Sequence, residues 1–187
     1  SAFGGAFIPI YNNVASFKSG NIKANYIYFD KIVSLNSFLV GVCFSVAAFL
    51  TPVISIIFLD EIDITFINIA FGILVAYALN ALSLPLMMYA QSCKRLFWNN
   101  ASVLTIASLA LSMSALLGLY KPMLAAYGFP FGMILGTCVG YIGNRKEFIK
   151  EYNELEELNL NEARNIRSIL AVIITVVTIL GFNLYLM

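Results

Sequence analysis

Five polar side chains in a strongly apolar sequence have the chemistry to hold a cargo inside a membrane. Three are uncharged amides at membrane depth, Asn36, Asn68 and Asn80, and two are the neighbouring cations Lys94 and Arg95. An amide donates and accepts hydrogen bonds, so such groups can line a wet cavity and contact sugar hydroxyls. Cations at a membrane surface can meet a lipid phosphate. These five are the candidate substrate-binding residues.

The same residue types also have a purely structural interpretation. An asparagine within a membrane can hydrogen-bond to another helix, which is worth about 0.6 kcal/mol on average. For any single asparagine this structural role is the favoured interpretation. Basic residues beside a span set its orientation in the bilayer, which is the simpler account of Lys94 and Arg95.

The residues needed for catalysis or metal binding are scarce. The sequence has no histidine, and its three cysteines, Cys43, Cys93 and Cys138, are far apart. No ionisable residue falls in the middle of a predicted span, where it would point to an ion site or a proton relay. We therefore expect no enzyme activity, no metal and no cofactor. The net charge of +1 gives no reason to expect a nucleic-acid partner.

The composition indicates an all-α, polytopic membrane protein whose surroundings are membrane lipids. Hydrophobic residues make up 60% of the sequence and charged residues 11%, whereas soluble domains are roughly 45–50% apolar and about 25% charged. A membrane span needs about 20 mostly apolar residues. By that criterion the predicted spans are residues 1–16, 33–59, 65–90, 101–120, 123–143 and 168–187. A short interfacial helix is expected near residues 22–29, and a cytoplasmic amphipathic linker at 144–167.

Prolines fall within or beside several of these spans. A proline inside a helix leaves one carbonyl without its N–H partner, and in a membrane a hydroxyl or a neighbouring helix can supply the missing donor. We interpret four of them as candidate hinges: Pro9, Pro52, Pro85 and Pro130.

The stretch from 127 to 143 contains a regular series of glycines. Gly128, Gly132, Gly136 and Gly140 recur at every fourth residue, which places them on one face of a helix. Membrane helices associate through close van der Waals contact, which small residues permit. The pattern predicts a helix-packing seam.

The basic residues follow the predicted alternation of the spans. Lysines and arginines cluster in the loops after the first, third and fifth spans, whereas Asp60, Glu61 and Asp63 lie in the loop after the second. The positive-inside rule places the basic loops in the cytoplasm. The sequence begins at Ser1 and ends at Met187 within apolar runs, so we expect a piece of a longer polytopic protein.

Four segments in this order resemble the polysaccharide and O-antigen flippases of the multidrug/oligosaccharidyl-lipid/polysaccharide exporter superfamily. They are SAFGGAFIPIYNNVASFKSGN, TPVISIIFLDE, LNALSLPLMMYAQSCKRLFWNNA and AAYGFPFGMILGTCVGYI, and they cover about residues 1–145. No single segment is specific, and the likeness rests on their order and spacing together with the topology.

The resemblance implies one lobe of a two-lobe, MATE-like helical transporter in a bacterial inner membrane. Its cargo would be an undecaprenyl-diphosphate-linked oligosaccharide, used for polysaccharide or lipopolysaccharide biosynthesis and moved by alternating access. The missing other lobe of the same chain would complete the cavity, and the carboxyl-terminal half is the favoured placement. Two alternatives stay open: a drug/cation antiporter of the same superfamily, and a non-transporting structural membrane subunit.

Overall fold

A computed structural model describes residues 22–153, with the side chains of residue 29 and of residues 31–150. The predicted spans 1–16 and 168–187, Pro9 and most of the predicted linker lie outside the described residues.

The described part of the chain is built from four long helices. They are α1 (Ile22–Leu59), α2 (Ile64–Ser92), α3 (Phe97–Tyr120) and α4 (Gly128–Asn153), and a 3₁₀ helix, Pro122–Tyr127, joins α3 to α4. Residues 22–153 contain no strand. Each helix has a segment long and apolar enough to cross a membrane: Lys31–Leu59, Ile64–Ser92, Phe97–Tyr120 and Pro122–Lys150. The all-α class and the multi-pass membrane architecture are thereby confirmed.

Two helices run beyond the limits that hydropathy suggested. The expected separate interfacial helix near residues 22–29 is wrong, because α1 is continuous from Ile22. The sequence has no glycine or proline between Ile22 and Gly41 that would interrupt it. At the other end of the described sequence, α4 continues past residue 143 to Asn153. A change from apolar to charged residues marks the edge of the bilayer, and helix-forming residues such as Arg145 and Lys146 carry the helix beyond it.

The four helices pack in the spatial order α1, α2, α4, α3. α4 lies between α2 and α3, and its most extensive contact is with α3. Two apolar clusters join α1 to α2 in antiparallel fashion. One contains Ala48, Ile67 and Phe71. The other, at the opposite end, contains Phe29 and Leu86 together with Phe148 of α4.

Charged residues separate between the two ends of the bundle. The aromatic contacts that Phe29 makes with Tyr89 (ring centroids 5.3 Å apart) and Phe148 (4.8 Å) bring the start of α1 and the ends of α2 and α4 together. We call this the basic end, and its cations include Lys31, Lys94, Arg95, Arg145, Lys146 and Lys150. The opposite end carries Asp60, Glu61, Asp63 and Lys121.

Candidate functional site

The glycine series of α4 lies directly against α3. An ideal Cβ added at Gly132 would lie 2.8 Å from the Cα of Ala110, and one at Gly136 would lie 2.8 Å from the backbone nitrogen of Ile106. Ordinary van der Waals contact begins at 3.4 Å. Along the whole contact, Gly128, Gly132, Gly136, Gly140 and Gly143 face Ser114, Ala110, Ile106, Ser102 and Trp98 respectively. We call this contact the glycine seam.

The close approach at the seam permits a buried hydrogen bond between the two helices. Ser102 Oγ donates to the carbonyl oxygen of Gly136 at 2.7 Å. Near the basic end the indole ring of Trp98 lies over Gly143, where any side chain would collide with it. The facing residues of α3 also recur at every fourth position, a pattern in the sequence that identifies the partner surface of the glycines.

Asn36 supplies the hydrogen bond that Pro85 removes from α2. The Nδ2 of Asn36, on α1, donates to the carbonyl oxygen of Ala81 at 2.9 Å. In a regular helix that carbonyl would accept from the N–H of residue 85, which is a proline and has none. Asn36 is only 1% exposed, so in this structure its donor group serves the fold.

Two further asparagines continue the polar contacts across α2, α3 and α4. Asn99 Nδ2 donates to the carbonyl oxygen of Met87 at 3.0 Å, and Asn144 Nδ2 donates to Asn99 Oδ1 at 2.7 Å. Both asparagines are buried. Among the residues that the structure describes, two buried side-chain atoms, Asn144 Oδ1 and Thr137 Oγ1, have no hydrogen-bond partner. Asn99 and Asn144 were not among the candidate site residues.

The five candidate substrate-binding residues do not converge on one point. Asn36 lies across from Ala81, and so it is level with Asn80. Asn68 is twelve residues before Asn80 on the same helix, a rise of roughly 18 Å. Lys94 follows Asn80 by fourteen residues, which places the cations roughly 20 Å away in the other direction. Asn68 and Asn80 are half-buried on α2.

Lys94 and Arg95 lie just beyond α2 and terminate it through backbone hydrogen bonds. The backbone N–H of Lys94 donates to the carbonyl of Gln91 at 2.9 Å, and that of Arg95 to the carbonyl of Ala90 at 2.8 Å. This is the Schellman pattern of a helix end, in which the residue after the C-cap adopts a left-handed conformation. The C-cap here is Cys93. Lys94 does so with φ of 59°, although glycine is the residue that favours it. Both side chains are exposed at the basic end.

The other prolines have different surroundings. At Pro52 of α1, the neighbouring Thr51 Oγ1 donates within its own helix to the carbonyl of Ala47 at 2.9 Å. Pro130 lies in the first turn of α4, where the N–H group of a residue would have no partner within the helix. A proline at this position therefore frees no carbonyl of α4.

Hydrogen bonds fix the loop between α1 and α2, at the end of the bundle opposite the basic end. Ser55 Oγ donates to the carbonyl of Glu61 at 2.8 Å and accepts from the backbone N–H of Asp63 at 3.0 Å. Asp63 then caps α2, because its Oδ1 accepts from the backbone N–H groups of Thr65 and Phe66. The loop is short, and the carboxylate of Asp63 is used to cap α2.

No protein family, curated protein or solved structure matches this chain. Within residues 22–153, no group of three or more histidine, cysteine, aspartate or glutamate side chains could hold a metal ion. The candidate functional features are therefore the proline and asparagine contacts of α2 and the exposed cations at its end.

Proposed function

We propose that this chain is part of a flippase that moves a lipid-linked oligosaccharide across a bacterial cytoplasmic membrane by alternating access. The basic end would face the cytoplasm, in keeping with the positive-inside rule. The cargo class is an undecaprenyl-diphosphate-linked oligosaccharide, such as an O-antigen or polysaccharide repeat unit.

The observation that carries the proposal is the ordered set of resemblance segments and where they fall on the helices. TPVISIIFLDE closes α1, LNALSLPLMMYAQSCKRLFWNNA spans the end of α2 and the start of α3, and AAYGFPFGMILGTCVGYI opens α4. Within these segments, Pro52 and Pro85 each lie seven residues before the end of their helix. Helices interrupted by proline are suited to a transporter whose helices must change position.

In this proposal Lys94 and Arg95 make the first contact with the cargo. Both are exposed at the basic end, where a lipid diphosphate in the cytoplasmic leaflet would lie. An arginine can bind phosphate oxygens through two parallel hydrogen bonds, and a lysine acts as a compact positive charge. Each such contact near a membrane surface is worth about 1 kcal/mol, or roughly five-fold in affinity.

Transport can be measured with the complete gene product in proteoliposomes that contain a fluorescent polyprenyl-diphosphate disaccharide. A membrane-impermeant reductant bleaches only the lipid in the outer leaflet. When the protein is present, we expect it to carry inner-leaflet lipid to the outer leaflet, so that all of the fluorescent lipid is bleached. If the inner-leaflet lipid stayed fluorescent although the protein was folded, the flippase proposal would be refuted. Release of protons or sodium ions on addition of a cationic drug would favour the antiporter instead.

The contribution of the two cations has a matched control. At subsaturating lipid, the double variant K94Q/R95Q is expected to flip the diphosphate lipid roughly 25-fold more slowly, because it removes two contacts worth roughly five-fold each. Lys121→Gln, which changes an exposed lysine at the opposite end, should leave the rate unchanged. Equal rates for the two variants would remove Lys94 and Arg95 from the cargo path.

A further inference from the structure

The end of α2 is connected to the rest of the bundle in an unusual way. Pro85 removes the main-chain hydrogen bond to Ala81, and the side chain of Asn36 replaces it from another helix at 2.9 Å. Residues 85–92 therefore follow a point where the hydrogen-bond ladder of α2 is incomplete. A neighbouring helix, rather than α2 itself, completes it.

A second amide contacts the same segment from α3. Asn99 Nδ2 donates to the carbonyl of Met87 at 3.0 Å, and Asn99 is itself held by Asn144 of α4 at 2.7 Å. Tyr89, in the same segment, packs against Phe29 and Phe148. Side chains from α1, α3 and α4 thus set the position of residues 85–92.

The other internal proline has a different arrangement. The hydroxyl beside Pro52 donates within α1, to the carbonyl of Ala47. A bond within one helix moves with that helix, whereas a bond between helices must break if they separate. The cross-helix amide at Pro85 is therefore a contact that motion of α2 against α1 would open.

We propose that residues 85–92 of α2 form a separately movable segment and that Asn36 is the clasp that holds it closed. Release breaks the bond from Asn36, together with the bond from Asn99 and the ring packing of Tyr89. The segment then turns about Pro85, while the rest of α2 stays helical. This motion carries Lys94 and Arg95 with it. The clasp follows from the hydrogen bonds alone and does not depend on the proposed function.

Cys93, the residue that caps the moving segment, offers a native probe. It is half-buried, so opening of the segment should raise its rate of alkylation by N-ethylmaleimide. Cys43 and Cys138 would first be replaced by alanine, which leaves Cys93 as the only thiol. Asn36→Leu keeps the approximate size of the side chain and removes the donor.

We expect Asn36→Leu to raise the alkylation rate of Cys93 by about three- to ten-fold, the value of one hydrogen bond between membrane helices or one unsatisfied buried carbonyl. In the Pro85→Ala background residue 85 can donate its own N–H to Ala81, so the same substitution should change the rate less than about two-fold. Pro52→Ala is the control, because it restores an N–H elsewhere and should leave the full effect of Asn36→Leu intact.

The comparison of Asn36→Leu with and without Pro85→Ala tests the proposal even if one variant folds poorly. Recovery of folded protein when Pro85→Ala is added to Asn36→Leu supports the clasp. Equal effects of Asn36→Leu with and without Pro85, on alkylation or on folding, would overturn it.

Discussion

Replacing Gly132 by alanine should separate α3 from α4 and destabilise the bundle. The added Cβ would lie 2.8 Å from the Cα of Ala110 and 2.9 Å from the carbonyl oxygen of Ile106. Both are backbone atoms, so no side-chain rotation can relieve the contact. The backbone nitrogen of Ala110 lies nearer still. To reach ordinary contact distance the helices must therefore move apart by more than half an ångström, which weakens dispersion along the whole seam.

The size of the effect is the sum of two destabilising contributions and one stabilising contribution. Forcing an extra methyl group into a packed contact typically costs about 1–3 kcal/mol. Separation of the helices also strains the Ser102 to Gly136 hydrogen bond, worth about 0.6 kcal/mol. Alanine has a higher helix propensity than glycine by about 1 kcal/mol, which offsets part of this cost. The net expectation is a loss of about 0.5–2.5 kcal/mol in the free energy of unfolding.

Gly41→Ala is the matched control for this substitution. Nothing lies within 4 Å of a Cβ added at Gly41, so only the gain in helix propensity should appear, about 0.5–1 kcal/mol of stabilisation. Equilibrium unfolding in mixed micelles by titration with sodium dodecyl sulfate would measure both variants. The emission of Trp98, the only tryptophan of the chain, reports on the seam because its ring lies over Gly143. Equal stabilities for the two variants would refute the seam.

Two further predictions concern the ends of α2 and use the same titration. Lys94→Gly should stabilise the protein by about 1 kcal/mol, because the left-handed conformation at this position costs little for glycine; a destabilised variant would show that the lysine side chain contributes to the fold. Asp63→Ala should lose about 1 kcal/mol, because the hydrogen bonds to Thr65 and Phe66 disappear. Asp63→Asn keeps an acceptor oxygen and should retain most of the stability, and a loss equal to that of the alanine variant would contradict the capping role.

Regular patterns in the sequence identified the architecture. The length and composition of the apolar runs predicted the four described membrane helices, because the bilayer requires such runs. The four-residue spacing placed Gly128, Gly132, Gly136 and Gly140 on one face. The face of α4 beyond residue 143 was missed, because hydropathy treats Asn144 as the start of a polar linker. Helical spacing from Thr137 through Gly140 to Asn144 and Phe148 would have kept it in the bundle.

The partner of the carbonyl freed by Pro85 could not be read from the sequence. The position of the proline identifies the carbonyl that loses its donor, here that of Ala81. The replacement donor is Asn36, which lies 45 residues away from Ala81 in the chain. The same amide group could have pointed toward a cavity or toward a helix, since its chemistry suits both. Only the packing of α1 on α2 distinguishes these possibilities. This is why Asn36 carried a substrate-binding expectation, whereas the structure gives its donor a structural partner.

The two halves of the bundle differ in how easily they can rearrange. At the seam, α3 and α4 lie so close together that a Cβ added at Gly132 or Gly136 would meet backbone atoms of α3. Between α1 and α2 the hydrogen bond at Pro85 comes from the side chain of Asn36 rather than from the backbone. A transition between two conformations would follow the contact that costs least to open. We therefore expect α3 and α4 to move as one unit and the contact between α1 and α2 to open at Asn36.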